Sequence, residues 1–411
     1  MIAVFRNSWA LLLGITLLML GNGMQGTLLG IRGGIEGIST LHMSVVMASY
    51  FLGFLFGSRV TPTMIRRVGH VRVFAALGSL ISAVLLMYAV APNWIAWSAE
   101  RVLIGFSFSG MYITAESWLN NASTNATRGK ALSLYIIVQM IGIIGAQVLL
   151  NFGDPAGYTL FIIPSILVSV AFTPILLTVS QAPSFAETKA LSFSRLYHTS
   201  PLGCVAMFLL GGVFSAQFGM ASVWGTQAGL GVREISIFVA MIYVGGLVFQ
   251  YPIGWLSDRI DRRKLILGLS VAGALVMSVG MLHPGFYVLL GVAALSGAIT
   301  NPLYSLLVAY VNDYLDGPDM AAASAGLIFI NGLGAIGGPM ITGWMMQRIG
   351  PSGFFLFTVI LFVLMASYAG WRMTRRNAPK AGPFTALSPS ASALSVGAAV
   401  EAAHEGEAAR S

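Results

Sequence analysis

The chain has 411 residues, of which 56% are hydrophobic and only 9% charged, where a soluble domain carries about 25% charged residues. With a mean hydropathy of +0.82, this excludes an ordinary water-soluble core and makes lipid the solvent for much of the surface. The formal charge of +8 does not point to nucleic acid, because the cations fall in short loops between apolar runs and form no basic stripe with interleaved aromatics.

A spanning helix needs about 20 mostly apolar residues, with every backbone group paired inside the segment. That window picks out runs near 8–30, 43–64, 71–91, 93–117, 130–151 and 158–179. A second set follows near 201–224, 235–256, 264–282, 285–310, 320–347 and 352–373. The first run has no small-residue cleavage site, so it reads as a span and not a signal peptide. Even numbering puts both termini on one side. With that side inside, inner segments hold seventeen Lys and Arg and outer loops three, Arg32, Arg233 and Arg348. The bias predicts cytoplasmic termini in the inner (plasma) membrane. Residues 1–179 and 200–373 are expected as six-helix bundles, 180–199 as their cytoplasmic linker and 374–411 as a disordered tail.

Sliding the sequence against itself by 192 residues aligns the halves without a gap. Gln25 meets Gln217, Gly53 meets Gly245, Gly105 meets Gly297, Tyr112 meets Tyr304 and Gly142 meets Gly334, while Gln139 meets the similar Asn331. An offset of six spans preserves orientation, which is a parallel repeat about an axis along the membrane normal. The expected fold is therefore an all-α membrane protein of twelve transmembrane helices in two related bundles, with a site between them near mid-bilayer.

The loop after the eighth span reads Gly254-Trp-Leu-Ser-Asp258-Arg259-Ile-Asp261-Arg262-Arg263-Lys264. It resembles the major facilitator superfamily signature G-x-x-x-D-R-x-G-R-R/K, with Asp261 where the family usually has glycine. The matching loop after the second span is degenerate, with Pro62 and Arg66 at the glycine and acid positions. Arg101 with Gly105 on the fourth span is similar to the family's R-x-x-x-G motif. The segments AESWLN, VWGTQAGL, NPLYSLL and AAASAGL resemble the YcaD-like branch. The resemblance covers residues 8 to 373 and implies a monomeric transporter of a small-molecule substrate.

Asp258 is expected to face the start of the fifth span, where Arg128 and free N–H groups favour an anion. This would make a cytoplasmic gate with Arg259, Arg262, Glu116 and Arg67. The alternative is that Arg262 and its neighbours only set topology. Glu116, at the inner edge, is expected to pair with Arg66, Arg67 or Arg72.

Arg101 lies roughly 12 Å into the membrane, where an ionised group is costly and usually faces a cavity. It either holds an anionic substrate group, modulates a proton site or bridges helices. Glu100, the one carboxylate well inside a span, is the candidate for proton coupling. Asn22 and Gln25 share a helix face by their spacing of three. With Gln139, Gln217, Asn331 and Tyr304 they are the expected cavity lining, with Asn301 beside Tyr304 and Trp224 with Gln227 toward the outside. Each alone could instead be interhelical glue.

Other classes fit less well. A membrane-embedded enzyme would need a cluster such as H-E-x-x-H, which is missing, and no G-x-x-x-x-G-K-[ST] supports a nucleotide-driven pump. A channel lacks a pore loop or repeated charged ring. The lone Cys204 and five scattered histidines suit neither a metal site nor a cofactor. An ion gradient or the solute's own gradient must supply the energy.

Overall fold

The computed structural model describes residues 2–121, 123, 125–176, 192–315, 317–375, 382, 384–387 and 399. Among them every regular element is helical. The first half holds α1 (Ile2–Ile35), α2 (Thr40–Val68), α3 (His70–Val90), α4 (Trp94–Asn121), α5 (Asn125–Leu149) and α6 (Thr159–Leu176), with a 3-10 turn at Leu150–Phe152. A short α7 (Phe193–Thr199) leads to α8 (Pro201–Gln227), α9 (Val232–Ser257), α10 (Arg262–Met281), α11 (Phe286–Asn312), α12 (Gly317–Ile349) and α13 (Ser352–Met373). Every expected run has become one long helix. Ten are long and apolar enough to cross a membrane by length and composition, and α6 adds a shorter apolar stretch. The polar α4 is the other exception, carrying Glu100, Arg101 and Glu116.

Large apolar side chains such as Phe56, Val90, Tyr251 and Leu275 are exposed. Lipid removes the cost of leaving that surface uncovered by protein. The chain is a multi-pass membrane protein.

Helix pairings in the first half recur in the second. The α2–α4, α1–α5, α1–α6, α3–α4 and α3–α6 contacts become α9–α11, α8–α12, α8–α13, α10–α11 and α10–α13. The register is preserved residue by residue. A Cβ at Gly53 would strike the Val102 carbonyl and one at Gly105 the Tyr50 carbonyl. Their counterparts 192 residues on, Gly245 and Gly297, would strike Ala294 and Ile242. Gly142 likewise lies on Thr16 and Met19, and Gly334 on Phe208 and Gly212. Small residues let the backbones approach this closely without an intervening side chain.

The halves meet through α1–α8, α2–α12 and α5–α9. One end of the molecule, the basic end, carries Arg66, Arg67, Arg72 and the 259–264 loop. Close approaches across the halves gather at the opposite, far end, where Gly30 lies on Ser222, Gly34 on Thr226 and Gly343 on Ser44. Down the α2–α12 seam, Gly332 meets Leu55, and the Arg59 guanidinium sits 4.3 Å from the centroid of the Phe329 ring. Arg59 thus reaches a ring of the other half in a favourable cation–π contact.

The expected linker is helical in its final part, with the Ser192 hydroxyl accepting from the Arg195 amide as N-cap. Arg195 is anchored on α12 by Asp319 at 2.5 Å. Residues 180–191 lie outside the described residues. So does most of the expected tail, but Gly382, Phe384 and Leu387 are held against the helix ends. The Phe384 ring packs on Gly254, where a Cβ would stand 2.6 Å away. The Gly382, Phe384 and Leu387 amides donate to Asp313, Asp258 and Ser305 at 2.9, 3.0 and 2.9 Å. Composition reads this stretch as unstructured, yet carboxylates and a hydroxyl between the ends of α9 and α11 supply the acceptors its backbone needs.

Candidate functional site

A cavity of about 170 Å³ lies between the halves, walled by α1, α2, α4 and α5 on one side and α8, α9, α11 and α12 on the other. Asn22, Gln25, Arg101, Gln139 and Asn331 all line it. Arg101, 3% exposed, sends Nη1 to Gln25 Oε1 at 2.7 Å and Nη2 to Met47 Sδ at 3.3 Å. Its guanidinium carbon is 4.8 Å from the Tyr50 ring centroid. Gln25 Nε2 donates to Asn22 Oδ1 at 3.2 Å. Asn22 Nδ2 donates to the Tyr112 hydroxyl at 3.1 Å, which in turn points at Met19 Sδ, 3.3 Å away. The i, i+3 spacing on α1 places both amides on one face, so Arg101, Gln25, Asn22 and Tyr112 form one chain of donors and acceptors.

Across the cavity the wall is softer. Asn331 Nδ2 donates to the Met207 carbonyl at 3.2 Å, which uses its amide for α12–α8 packing. Gln139 borders the cavity, with its Nε2 buried beside Tyr135. Phe218 lies 4.2 Å from Phe214 and 4.7 Å from Tyr243, centroid to centroid. These rings, with Tyr50 and Phe54 opposite, make much of the lining. Sequence reasoning missed them, since an aromatic residue in an apolar helix looks the same whether it faces lipid, core or cavity.

Two expected lining residues are placed elsewhere. Gln217 and Tyr304 are each 1% exposed and lie off the cavity wall, Gln217 with neither side-chain polar atom bonded. Asn301, one turn from Tyr304 on α11, does reach the cavity. Trp224 and Gln227 border a separate pocket at the far end of the second half. Trp224 packs against a tilted Phe238 and edge-on against Phe355, with centroids 4.7 and 5.1 Å apart. Glu100 is 4% exposed, has Oε2 without a hydrogen bond and is not on the cavity wall.

At the basic end Arg262 is a buried hub and not a surface cation. It pairs with Asp313, the two side chains 2% and 3% exposed. It also donates to Ser257 Oγ at 3.1 Å, the Ala309 carbonyl at 3.3 Å and the Gly382 carbonyl. Asp258 was expected to face α5 and Arg128. Instead it accepts from the Phe384 amide and lies 3.7 Å from Arg262. The side chain of Arg128 lies outside the described residues. Arg259 bonds the Trp255 carbonyl at 2.9 Å and covers the Trp255 ring, a contact local to its own helix. Arg67 is exposed while Glu116 is 1% exposed within α4. Asp261, the departure from the family glycine, caps α10 by accepting from the Arg263 amide at 2.9 Å. The Arg263 guanidinium grips the same carboxylate at 2.7 Å and holds it below the usual carboxylate range.

Comparisons with known proteins follow this geometry. The family model described as Major Facilitator Superfamily matches residues 203–399. The one described as Sugar (and other) transporter matches 18–192. The chain is 25% identical to the MFS-type transporter YfkF of Bacillus subtilis, over 75% of this chain and 81% of that protein. It is also 25% identical to YcaD of Escherichia coli O45:K1, over 88% and 93%. A bacterial homologue of the lysosomal transporter Spinster, in an inward-facing and occupied conformation, superposes with a TM-score of 0.74 at 15% identity, covering 89% of this chain and 96% of that one. The nucleoside transporter NupG gives 0.72 at 16%, covering 90% and 98%. A cavity between two parallel repeats and the matches in both halves lead to one assignment: the chain belongs to the major facilitator superfamily.

Proposed function

We propose that the protein is a secondary active transporter that carries a small solute across a bacterial inner membrane by alternating access, with both termini cytoplasmic. The observation that carries this reading is a cavity, polar along its first-half wall, at the seam of two repeats whose close approaches gather at one end. In this reading the far end is the closed outer gate, and the Arg262–Asp313–Asp258 cluster is the inner-gate machinery awaiting closure. The Gly382, Phe384 and Leu387 amides occupy acceptors on α9 and α11 that the first half would face when the inner end closes. Uptake and efflux are equally compatible with this geometry. Glu100, buried one residue from Arg101, is the group best placed to exchange a proton with the gradient.

The test uses thiol accessibility in a Cys204→Ser background, read in reconstituted vesicles. A Cβ built at Gly34 would stand 3.5 Å from Thr226 Cβ, within the disulfide range of about 3.5–4.5 Å. An impermeant maleimide should label Ser58→Cys on the cavity wall from the cytoplasmic side and Thr226→Cys slowly from the outside. Cross-linking Gly34→Cys to Thr226→Cys should raise Ser58→Cys labelling to completion. If Thr226→Cys never reacts and the cross-link changes nothing, the halves do not alternate and the reading falls. Simultaneous reaction at both ends of one molecule would indicate a channel.

A further inference from the structure

We infer that the central cavity is built for a small organic monoanion with a flat apolar body, such as a single-ring carboxylate. The inference deepens the transporter reading and rests on it for the direction in which the ligand moves, but the binding site stands on its own contacts.

Arg101 carries five N–H donors in a fixed fork and always holds its charge. Its partners are a neutral amide, a thioether, the face of a ring and the Tyr88 hydroxyl, none of them a carboxylate. Its Nε is buried with no hydrogen bond, and no carboxylate pairs with it among the described residues. The cavity wall contains neither Asp nor Glu. A buried charge left without a counter-ion is costly, so the site gains most from a ligand that brings a negative charge. A carboxylate matches the guanidinium fork in shape as well as sign. A cation is repelled by Arg101 and finds no carboxylate on the wall, and neutral ligands leave the charge uncompensated.

Size and shape come from the other side. A dry cavity of about 150 Å³ admits one benzene ring, and this cavity measures about 170 Å³. On the second-half wall, Phe218 contacts both Phe214 and Tyr243, and these rings offer faces and edges for a flat body to stack on. Gln139 also lines the wall, and a rotation of its side chain would bring the amide to a second ligand oxygen. The charge-reading group belongs to the first half, and the Phe214, Phe218 and Tyr243 rings to the second. A ligand holding both therefore bridges the two bodies whose relative motion is the transport step.

The experiment measures ligand binding to the purified protein by calorimetry and thermal stability, with benzoate, neutral benzamide and cationic benzylamine as matched probes. Benzoate alone should bind and raise stability. Arg101→Ala should weaken benzoate by about tenfold to a hundredfold, the usual worth of a hydrogen bond to a charged group. Should that variant misfold, Gln139→Glu places a carboxylate on the wall without touching Arg101. It should weaken benzoate and admit benzylamine. Equal binding of benzamide, no response to benzoate, or full benzoate affinity in Arg101→Ala and Gln139→Glu would overturn the proposal. Flux of radiolabelled benzoate into proteoliposomes separates the two readings. Binding without flux breaks the transporter reading and leaves the anion site intact, while flux of only neutral or cationic solutes breaks the anion site and leaves the transporter.

Discussion

In the first half, α2 and α4 touch backbone to backbone at Gly53 and Gly105, and in the second half α9 and α11 do the same at Gly245 and Gly297. The polar residues laid over this common frame differ. Arg101 in the first half corresponds to Ala293 in the second, and Gln25 corresponds to Gln217. Gln25 accepts from Arg101, whereas Gln217 faces no such donor and its amide is unbonded. At the basic end the inequality reverses. His70 meets Ser117 at 2.9 Å in the first half, and at the corresponding positions Arg262 meets Ala309 and gains Asp313 besides. Glycine crossings persist because nothing else fits at backbone contact. Charges are freer to diverge, and here one half took the cavity charge and the other the end-of-helix ion pair.

That inequality can be broken most forcefully at Arg262. Asp313→Asn removes the buried partner of Arg262 and leaves only the half-exposed Asp258, 3.7 Å away, which should cost about 3 kcal/mol, the lower end for breaking a buried pair. The corresponding change at the other half's contact, His70→Ala, removes a neutral hydrogen bond and should cost about 1–2 kcal/mol. Thermal midpoints in one detergent measure both. Equal shifts would mean that the two end contacts have the same strength and that the charge adds nothing.

The glycine crossings test the shared part of the comparison. Gly105→Val and Gly297→Val each push a branched side chain into a facing carbonyl, and each should cost about 1–3 kcal/mol, since the backbone opposite has little room to relax. The two losses should agree, because the struck residues, Tyr50 and Ile242, occupy the same place in the repeat. If one half tolerates valine, the crossings are not equivalent and the repeat has drifted in geometry as well as in sequence.

How much of this was legible in the sequence follows from how polarity behaves in lipid. Apolar runs gave the long helices, and the constant offset gave the pairing of Gly53 with Gly245 and Gly105 with Gly297. Asn22, Gln25, Arg101, Gln139 and Asn331 stood out because an amide or guanidinium inside a span needs a reason. The same logic cannot tell cavity from packing. Gln217 and Tyr304 obey it equally, yet lie off the cavity wall. Nor does it see aromatic lining, because Phe218 on the cavity and Phe56 on the lipid face are the same residue type in similar apolar surroundings. The acceptors that order Gly382 and Leu387 are distant in sequence, so local composition pointed the other way.

The smallest expected effect is also the sharpest in sign. Gln25→Leu removes the acceptor of a charged donor and should destabilise the protein by about 1.5 kcal/mol. Gln217→Leu removes a buried amide that has no partner in its own half, so the desolvation it suffers on folding is uncompensated. That substitution should be neutral or stabilising, by up to about 1 kcal/mol. Two identical substitutions at equivalent positions would then shift the thermal midpoint in opposite directions. If both destabilise alike, Gln217 has an acceptor or donor of its own when the halves rock, and the second half uses its glutamine in the opposite state. Repeating the Gln217→Leu measurement with the Gly34→Cys/Thr226→Cys cross-link in place decides that point, because the cross-link removes the other state and with it any loss that belongs there.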